Sequence, residues 1–436
     1  MKNILGLLSV VLLAGAWPAA SAQESPDLVT AAKAFVDQLS SGDFDAAVKT
    51  FDPTMKSLSP AGKLKHAWNI WTTRFGPFKA QTAVRYEKSP PYVFVFVTCQ
   101  FQNESMDMKI VYNAGKEIVG MGLFPTYKRP AYAHPESFVE KEVRVGSGEW
   151  VLPGTLTVPV GAGPFPAVVL VHGSGVNDRD ESAGGPNRPF RDLAWGLASQ
   201  GIAALRYDKR SKVYPDKLAS MTGATVKDES IDDAVAAVAL LIETPCIDPK
   251  RIFVVGHSLG GRLAPRIAAQ DDHVAGLVIL AGSTLPLEQI FVEQLKYIIS
   301  LGGPDVEATK ATLAKVNEQL ETLKDPKLPE TAWVIGAHPA YWRDLDGYNP
   351  GAVARSLKIP MLVLQGERDY KVTLEDLAVW RKYLSDRPGV EFKTYPKLNH
   401  IFEEGEGKDT PQAYLMGGNV APYVVDDIAR WIKGVR

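Results

Sequence analysis

Cysteine is nearly absent from this chain: its 436 residues include only two, Cys99 and Cys246. Two thiols so far apart exclude a zinc site and a disulfide framework. One bridge is open to them in an oxidising compartment, but two independent thiols are the plainer expectation. An excess of charge is missing too, with 48 Lys and Arg against 50 Asp and Glu and a formal charge of -2. That balance offers no attraction to nucleic-acid phosphates or an acidic membrane, so no nucleic-acid partner is expected. Beyond the first residues no uncharged run approaches membrane-spanning length, which excludes stable membrane insertion. An apolar share of 45% with 22% charged residues excludes disordered and collagen-like classes. What is left is a globular chain too long for one ordinary domain.

The chain opens with Lys2, an apolar run from Ile4 to Trp17, and small residues ending in Ala20-Ser21-Ala22. This is the order of a secretory signal, so residues 1–22 are expected to be removed and the mature protein to be periplasmic or secreted. The next segment, residues 23–126, reads as helices followed by strands. Leu28, Ala31, Phe35 and Leu39 recur at helical spacing, and Ser41-Gly42-Asp43 marks a turn. Tyr92 to Phe101 and Met106 to Tyr112 suit strands of an antiparallel sheet. A small α+β domain is expected, with Trp68, Trp71 and Phe75 either in its core or on its surface.

Residues 127–139, with Pro130 and Pro135, read as a linker. From residue 140 to 436 a hairpin leads into alternating apolar runs and helical patterns. The runs are Ala167 to Val171, Ala203 to Tyr207, Ile252 to Val255, Val274 to Leu280, Met361 to Leu364 and Val390 to Tyr395. Such alternation predicts an α/β architecture, a mostly parallel sheet with helices on both faces. Between about 283 and 348 an insertion carries two helical stretches and the aromatics Phe291, Tyr297, Trp333, Tyr341 and Trp342, as a cap over a pocket would. The same aromatics could equally serve to anchor the insertion to the body.

The strongest chemical signal is Gly256-His257-Ser258-Leu259-Gly260-Gly261, which puts a serine between a strand and a helix. A nucleophile elbow needs this context, with small residues two positions to either side of the serine. A serine hydroxyl is a poor nucleophile alone, so a base and a group that orients the base are required. Asp369 and His400 each follow a predicted strand, and the order Ser258, Asp369, His400 fits a catalytic triad. Glu367 is the alternative acid, read otherwise as a solvated loop charge. Backbone donors for an oxyanion hole are expected at Leu259 and at Gly173 or Ser174, with Ser174 preferred, in the loop Val171-His172-Gly173-Ser174-Gly175. His172 is read as holding that loop in shape. Asp178, Arg179 and Asp180, like Asp208, Lys209 and Arg210, are read as ion-paired charges that shape the mouth of the site.

With these segments, residues 140–436 resemble a bacterial secreted α/β-hydrolase of the carboxylesterase and serine-aminopeptidase-like branch. The matching runs are His172 to Gly175, Asn177 to Asp180, Pro189 to Ala194, Leu205 to Arg210 and Gly256 to Gly261. The leading domain is similar to cystatin-like or NTF2-like domains. The resemblance implies an eight-stranded hydrolase sheet with a helical cap, a small-molecule ester substrate, short to medium acyl chains, and no metal or organic cofactor. Peptidase, amidase or acyltransferase chemistry would use the same three residues. A non-catalytic binding protein on this scaffold is the contrasting expectation, weakened by the intact Ser258, Asp369 and His400.

Overall fold

A computed structural model describes residues 26–89, 91–183, 185–303 and 305–435; the expected leader at 1–22 lies outside the described residues. The chain forms two compact units and passes from one to the other between Tyr127 and Lys128.

In the leading unit the helices Pro26–Ser41, Phe44–Lys49, Pro53–Leu58 and Ala61–Phe75 precede strands β1 (Phe78–Ser89), β2 (Tyr92–Phe101), β3 (Ser105–Tyr112) and β4 (Ile118–Pro125). Asp43 and Asp52 start the second and third helices by accepting the backbone N–H groups of Ala46 and Met55. The strands form an antiparallel meander in sequence order. In β2, Val95, Val97, Cys99 and Phe101 alternate onto one face and are fully buried with Phe35, Leu39 and Phe51. Trp68 is core, its ring about 6 Å from those of Phe78 and Phe101.

The second unit is built on one sheet of eight strands: β5 (Phe138–Val145), β6 (Leu152–Pro159), β7 (Phe165–Val171), β8 (Ala203–Tyr207), β9 (Ile247–His257), β10 (Val274–Leu280), β11 (Met361–Gly366) and β12 (Val390–Tyr395). Their order is β12-β11-β10-β9-β7-β8-β6-β5, parallel from β12 through β8, with β6 antiparallel to both β8 and β5. This is the mostly parallel α/β sheet that the alternation predicted. Period-two geometry divides each apolar run between two cores. Val169, Val171, Val254 and Ile279 face the helices Asp232–Ile242 and Leu259–Ala268, whereas Val168, Leu170, Val255 and Val278 face Pro189–Ala198 and Pro422–Gly434. Each such buried aliphatic side chain contributes roughly 1.5–3 kcal/mol.

The insertion folds into helices Leu287–Leu301, Val306–Leu323 and Pro339–Asp346. Buried Arg262, from the helix after β9, donates to the carbonyls of Thr284 and Leu285 at one end of the insertion and of Leu345 and Tyr348 at the other. Both ends are thereby tied to one side chain. Among the described residues no helix is long and apolar enough to cross a membrane. Both cysteines are free thiols, Cys99 buried and Cys246 half-buried, and burial pushes the Cys99 thiol up to about 12.

Candidate active site

Strand β9 runs past its expected end to His257, and the helix Leu259–Ala268 starts directly after Ser258. The connection leaves Ser258 at φ 53° and ψ -116°, a left-handed conformation costly for a residue with a side chain. Glycine is required on both sides. A Cβ at Gly256 would lie 2.3 Å from the Gly260 carbonyl oxygen, and one at Gly260 would lie 2.1 Å from that of Val171. The strain is held by hydrogen bonds, because the Ser258 N–H donates to Leu280 O at 2.9 Å and the Ser258 carbonyl accepts from Arg262 N at 3.0 Å. Ser258 is half-buried while His257 and Leu259 are buried. Leu259 opens the helix, where backbone N–H groups lack a partner within the helix.

Asp369 lies in the loop after β11 and His400 in the loop after β12. His400 Nδ1 is 2.7 Å from Asp369 Oδ2. The carboxylate is fixed from behind: its Oδ1 accepts the N–H groups of Lys371 and Val372, and its Oδ2 also accepts from Gln365 Nε2. With Nδ1 donating to Asp369, the His400 Nε2 keeps its lone pair. Burial pulls His400 below its ordinary value, and Asp369 opposes this only in part, so the imidazole is neutral at pH 7. Glu367, the alternative acid, is exposed.

The loop after β7 lies against the elbow, since a Cβ at Gly173 would be 3.1 Å from Ser258 Cβ and 3.6 Å from its Oγ. The Gly173 N–H itself donates to Glu181 Oε1 at 2.6 Å, which commits it and leaves Ser174 as the donor this loop can offer. Glu181 Oε2 stands 2.9 Å from His257 Nδ1, while His257 Nε2 is 2.9 Å from the His400 carbonyl oxygen. One buried acid thus joins the β7 loop to the elbow, and the elbow histidine joins both to the His400 loop. Each member of the pair favours the charged form of the other. Burial disfavours the His257 imidazolium, but Glu181 outweighs it and holds His257 above its ordinary value; burial likewise opposes the Glu181 carboxylate, and His257 holds it below.

The remaining charges near the mouth are internally paired. Arg179 binds Asp208 and Glu142, Asp180 pairs with Arg206 and Arg191, and Arg210 with Asp233. His172 Nε2 meets the Asp178 carbonyl at 3.0 Å. Lys209 turns into the structure, where it contacts Glu229 and the carbonyls of Gly173 and Gly175. Of the insertion's aromatics, Trp342 is buried in the main core with Phe291 and Tyr341 against it, whereas Tyr297 stacks on Tyr370 at 4.6 Å, next to Asp369. Sequence reasoning missed Glu181, Glu229 and Tyr370 altogether. No spacing rule links position 181 to 257, or 229 to 209, because these contacts cross between separate segments of the chain.

A mostly parallel sheet with a strained serine at the tip of central strand β9, and an Asp-His pair on the loops after β11 and β12, defines a hydrolase fold. Residues 168–414 match the model of the alpha/beta hydrolase family, and the chain belongs to that family. The leading unit matches, over residues 32–121, a family described as a protein of unknown function, DUF3887. Over 405 residues the chain is 38% identical to esterase EstD of Thermotoga maritima, covering 91% of this chain and 93% of that protein. Thiohydrolase apmlB of Arthrinium phaeospermum is 32% identical over 97 residues, 22% of this chain and 31% of that protein. Among solved structures, an esterase of Pyrococcus furiosus is 17% identical, with a TM-score of 0.43 over 71% of this chain and 97% of that one.

Proposed function

We propose that the protein is an exported serine hydrolase that cleaves carboxylic esters of short to medium acyl chains through Ser258, His400 and Asp369. The observation that carries this reading is the 2.7 Å contact of His400 with Asp369, with the His400 carbonyl 2.9 Å from His257 Nε2, the neighbour of a serine held at φ 53°. The near full-length likeness to a protein named an esterase supports the substrate class.

In this mechanism Ser258 Oγ attacks the ester carbonyl carbon as its proton passes to His400 Nε2. The π pair of the carbonyl moves onto oxygen, where the N–H groups of Leu259 and Ser174 stabilise the negative charge. Collapse of that intermediate breaks the bond to the alcohol, which leaves with the proton from His400. Water then attacks the acyl-Ser258 ester by the same sequence in reverse, releasing the acid. Asp369 acts by fixing the tautomer of His400 and stabilising the imidazolium formed in each half-reaction.

Hydrolysis of p-nitrophenyl acetate, butyrate and octanoate, set beside a panel of aminoacyl anilides, tests the reading with the mature chain and Ser258→Ala. Ester turnover by the wild type, reduced at least about a thousandfold in Ser258→Ala, is the expected result. Turnover of anilides alone would replace it by a peptidase. A wild type that acts on neither and resists fluorophosphonate labelling would leave a binding protein on a hydrolase scaffold. Export is tested by sequencing the N-terminus of protein recovered outside the cytoplasm, where a start at Gln23 is expected.

A further inference from the structure

Lys209 is among the most deeply buried long side chains in the molecule, and no step proposed above uses it. Its ammonium lies 2.9 Å from the Gly173 carbonyl oxygen and 3.2 Å from that of Gly175, both in the loop that faces Ser258. Glu229 Oε1 balances the charge at 3.1 Å. Glu229 sits in a single π-helical turn, Lys227–Ile231, a local widening of the helix that often marks a functional position. Its other oxygen accepts the hydroxyl of Tyr341, from the insertion helix Pro339–Asp346, at 3.0 Å.

The Gly173 carbonyl and the Ser174 N–H belong to the same peptide unit. That unit is planar and trans, so its C=O and N–H point in opposite directions. Fixing the carbonyl therefore fixes the amide. The preceding unit is fixed as well, because the Gly173 N–H is held by Glu181. Asn177 Nδ2 also donates to the Gly173 carbonyl, at 3.2 Å, but as a neutral amide it adds no charge. A buried ammonium on the carbonyl withdraws electron density from the peptide and makes its N–H a stronger donor.

We propose that Lys209, held by Glu229, is a positioning residue for the oxyanion hole: it clamps the Gly173 carbonyl so that the Ser174 N–H on the same peptide is aimed at the oxygen of a substrate on Ser258. The proposal rests on the esterase reading and adds a residue to it. It also gives the insertion a line to the reacting centre, from Tyr341 through Glu229 and Lys209 to the peptide that holds the oxyanion.

The test uses Lys209→Met in the full mature chain, which keeps the length of the side chain and removes its charge. The substrate is p-nitrophenyl butyrate, and the inhibitor is an alkyl trifluoromethyl ketone, to whose carbonyl Ser258 Oγ adds to form a hemiketal oxyanion. With the clamp gone, kcat should fall by about 10- to 100-fold while KM moves by less than about twofold. Inhibitor affinity should fall by the same factor as kcat, which a general loosening of the pocket would not produce. A folded Lys209→Met that keeps kcat and inhibitor affinity, or that changes KM alone, overturns the clamp. Should that variant not fold, Glu229→Gln keeps Lys209 and removes its counter-charge. A joint loss of kcat and inhibitor affinity of about threefold or more supports the clamp, and no change overturns it. Wild type and Ser258→Ala run alongside. An inactive wild type, or an active Ser258→Ala, sinks the esterase reading itself; an active wild type, a dead Ser258→Ala and an indifferent Lys209→Met sink only the clamp.

Discussion

The two units bury different things. Among its described residues the leading unit buries a single charged side chain, Asp107, which is satisfied by Arg85 and by Thr98 Oγ1 at 2.7 Å. The hydrolase unit buries Glu181, Lys209, Glu229, Asp233 and Asp369, among others, most of them around the loops at one end of its sheet. Removing a charge from water is costly unless it is paired and hydrogen-bonded. The leading unit carries almost none of that cost and is held by apolar packing around Phe35, Phe51 and Trp68. A cleft of about 450 Å³ in it is lined by Ser40, Trp68, Thr72, Thr73, Pro77 and Phe78, with no acid or base to transfer a proton. The lesson is that chemical capacity is marked by where charge is buried and paired rather than by where there is room.

After Ser258→Ala, the largest loss is expected for Asp369→Asn, which keeps the shape of the loop but presents an amide to His400 Nδ1. A fall in kcat of about 10³–10⁴ with an unchanged circular dichroism spectrum is expected, and near-normal activity would move the acid to another residue.

Glu181→Gln should act on stability more than on chemistry. Its volume and its contact with Gly173 can persist, but the charge facing His257 is gone, at a cost of about 3 kcal/mol. The sign of the pH dependence follows from the two shifts. His257, raised when folded, stabilises fully below its unfolded value near 6.5 and loses that contribution as pH rises through its higher folded value. Glu181, lowered when folded, stabilises fully above about 4.5 and loses it as pH falls through its lower folded value. The melting-temperature gap between wild type and Glu181→Gln should therefore be widest between about pH 4.5 and 6.5 and should narrow at both extremes. A gap that is flat with pH would mean the two residues are not a charged pair.

Trp68→Ala bears on the other half of the contrast. Deleting this buried ring should destabilise the leading unit by about 3–5 kcal/mol, read as an earlier unfolding step in calorimetry. Ester kcat and KM should stay within about twofold of wild type. A large change in either would show that the leading unit contributes to the site.

Much of this was legible beforehand, for identifiable reasons. Runs such as Ala203 to Tyr207 and Met361 to Leu364 are wholly buried on both faces, so their apolar composition alone marks them as strands. The elbow was legible because its glycines answer a steric demand that no other residue meets. Strand β1 and the helix Ala61–Phe75 escaped notice because polar residues are interspersed along both, only Leu64 and Trp68 of the helix are buried, and the described side chains of β1 are half-buried or exposed. The C-terminal helix Pro422–Gly434 was overlooked although its signal was present, a proline at the first position and Val424, Val425, Ile428 and Ile432 along one face. Glu181 and Glu229 were invisible for a different reason. A lone acid in a loop or a helical turn has the same appearance whether it faces solvent or a buried cation, and only the closure of several segments on one another decides which.

The unequal burial of the two thiols makes the chain a ready platform for spectroscopic labelling. Cys99 is sealed in the leading unit with its thiol held in the protonated form, whereas Cys246, just before β9, is partly open to solvent. Since the thiolate is the reacting species, a maleimide dye added to the folded protein should couple once, at Cys246. A mass increase of one dye, rising to two only after unfolding, would confirm it. The hydrolase unit could then be given a single fluorophore without any change to its sequence.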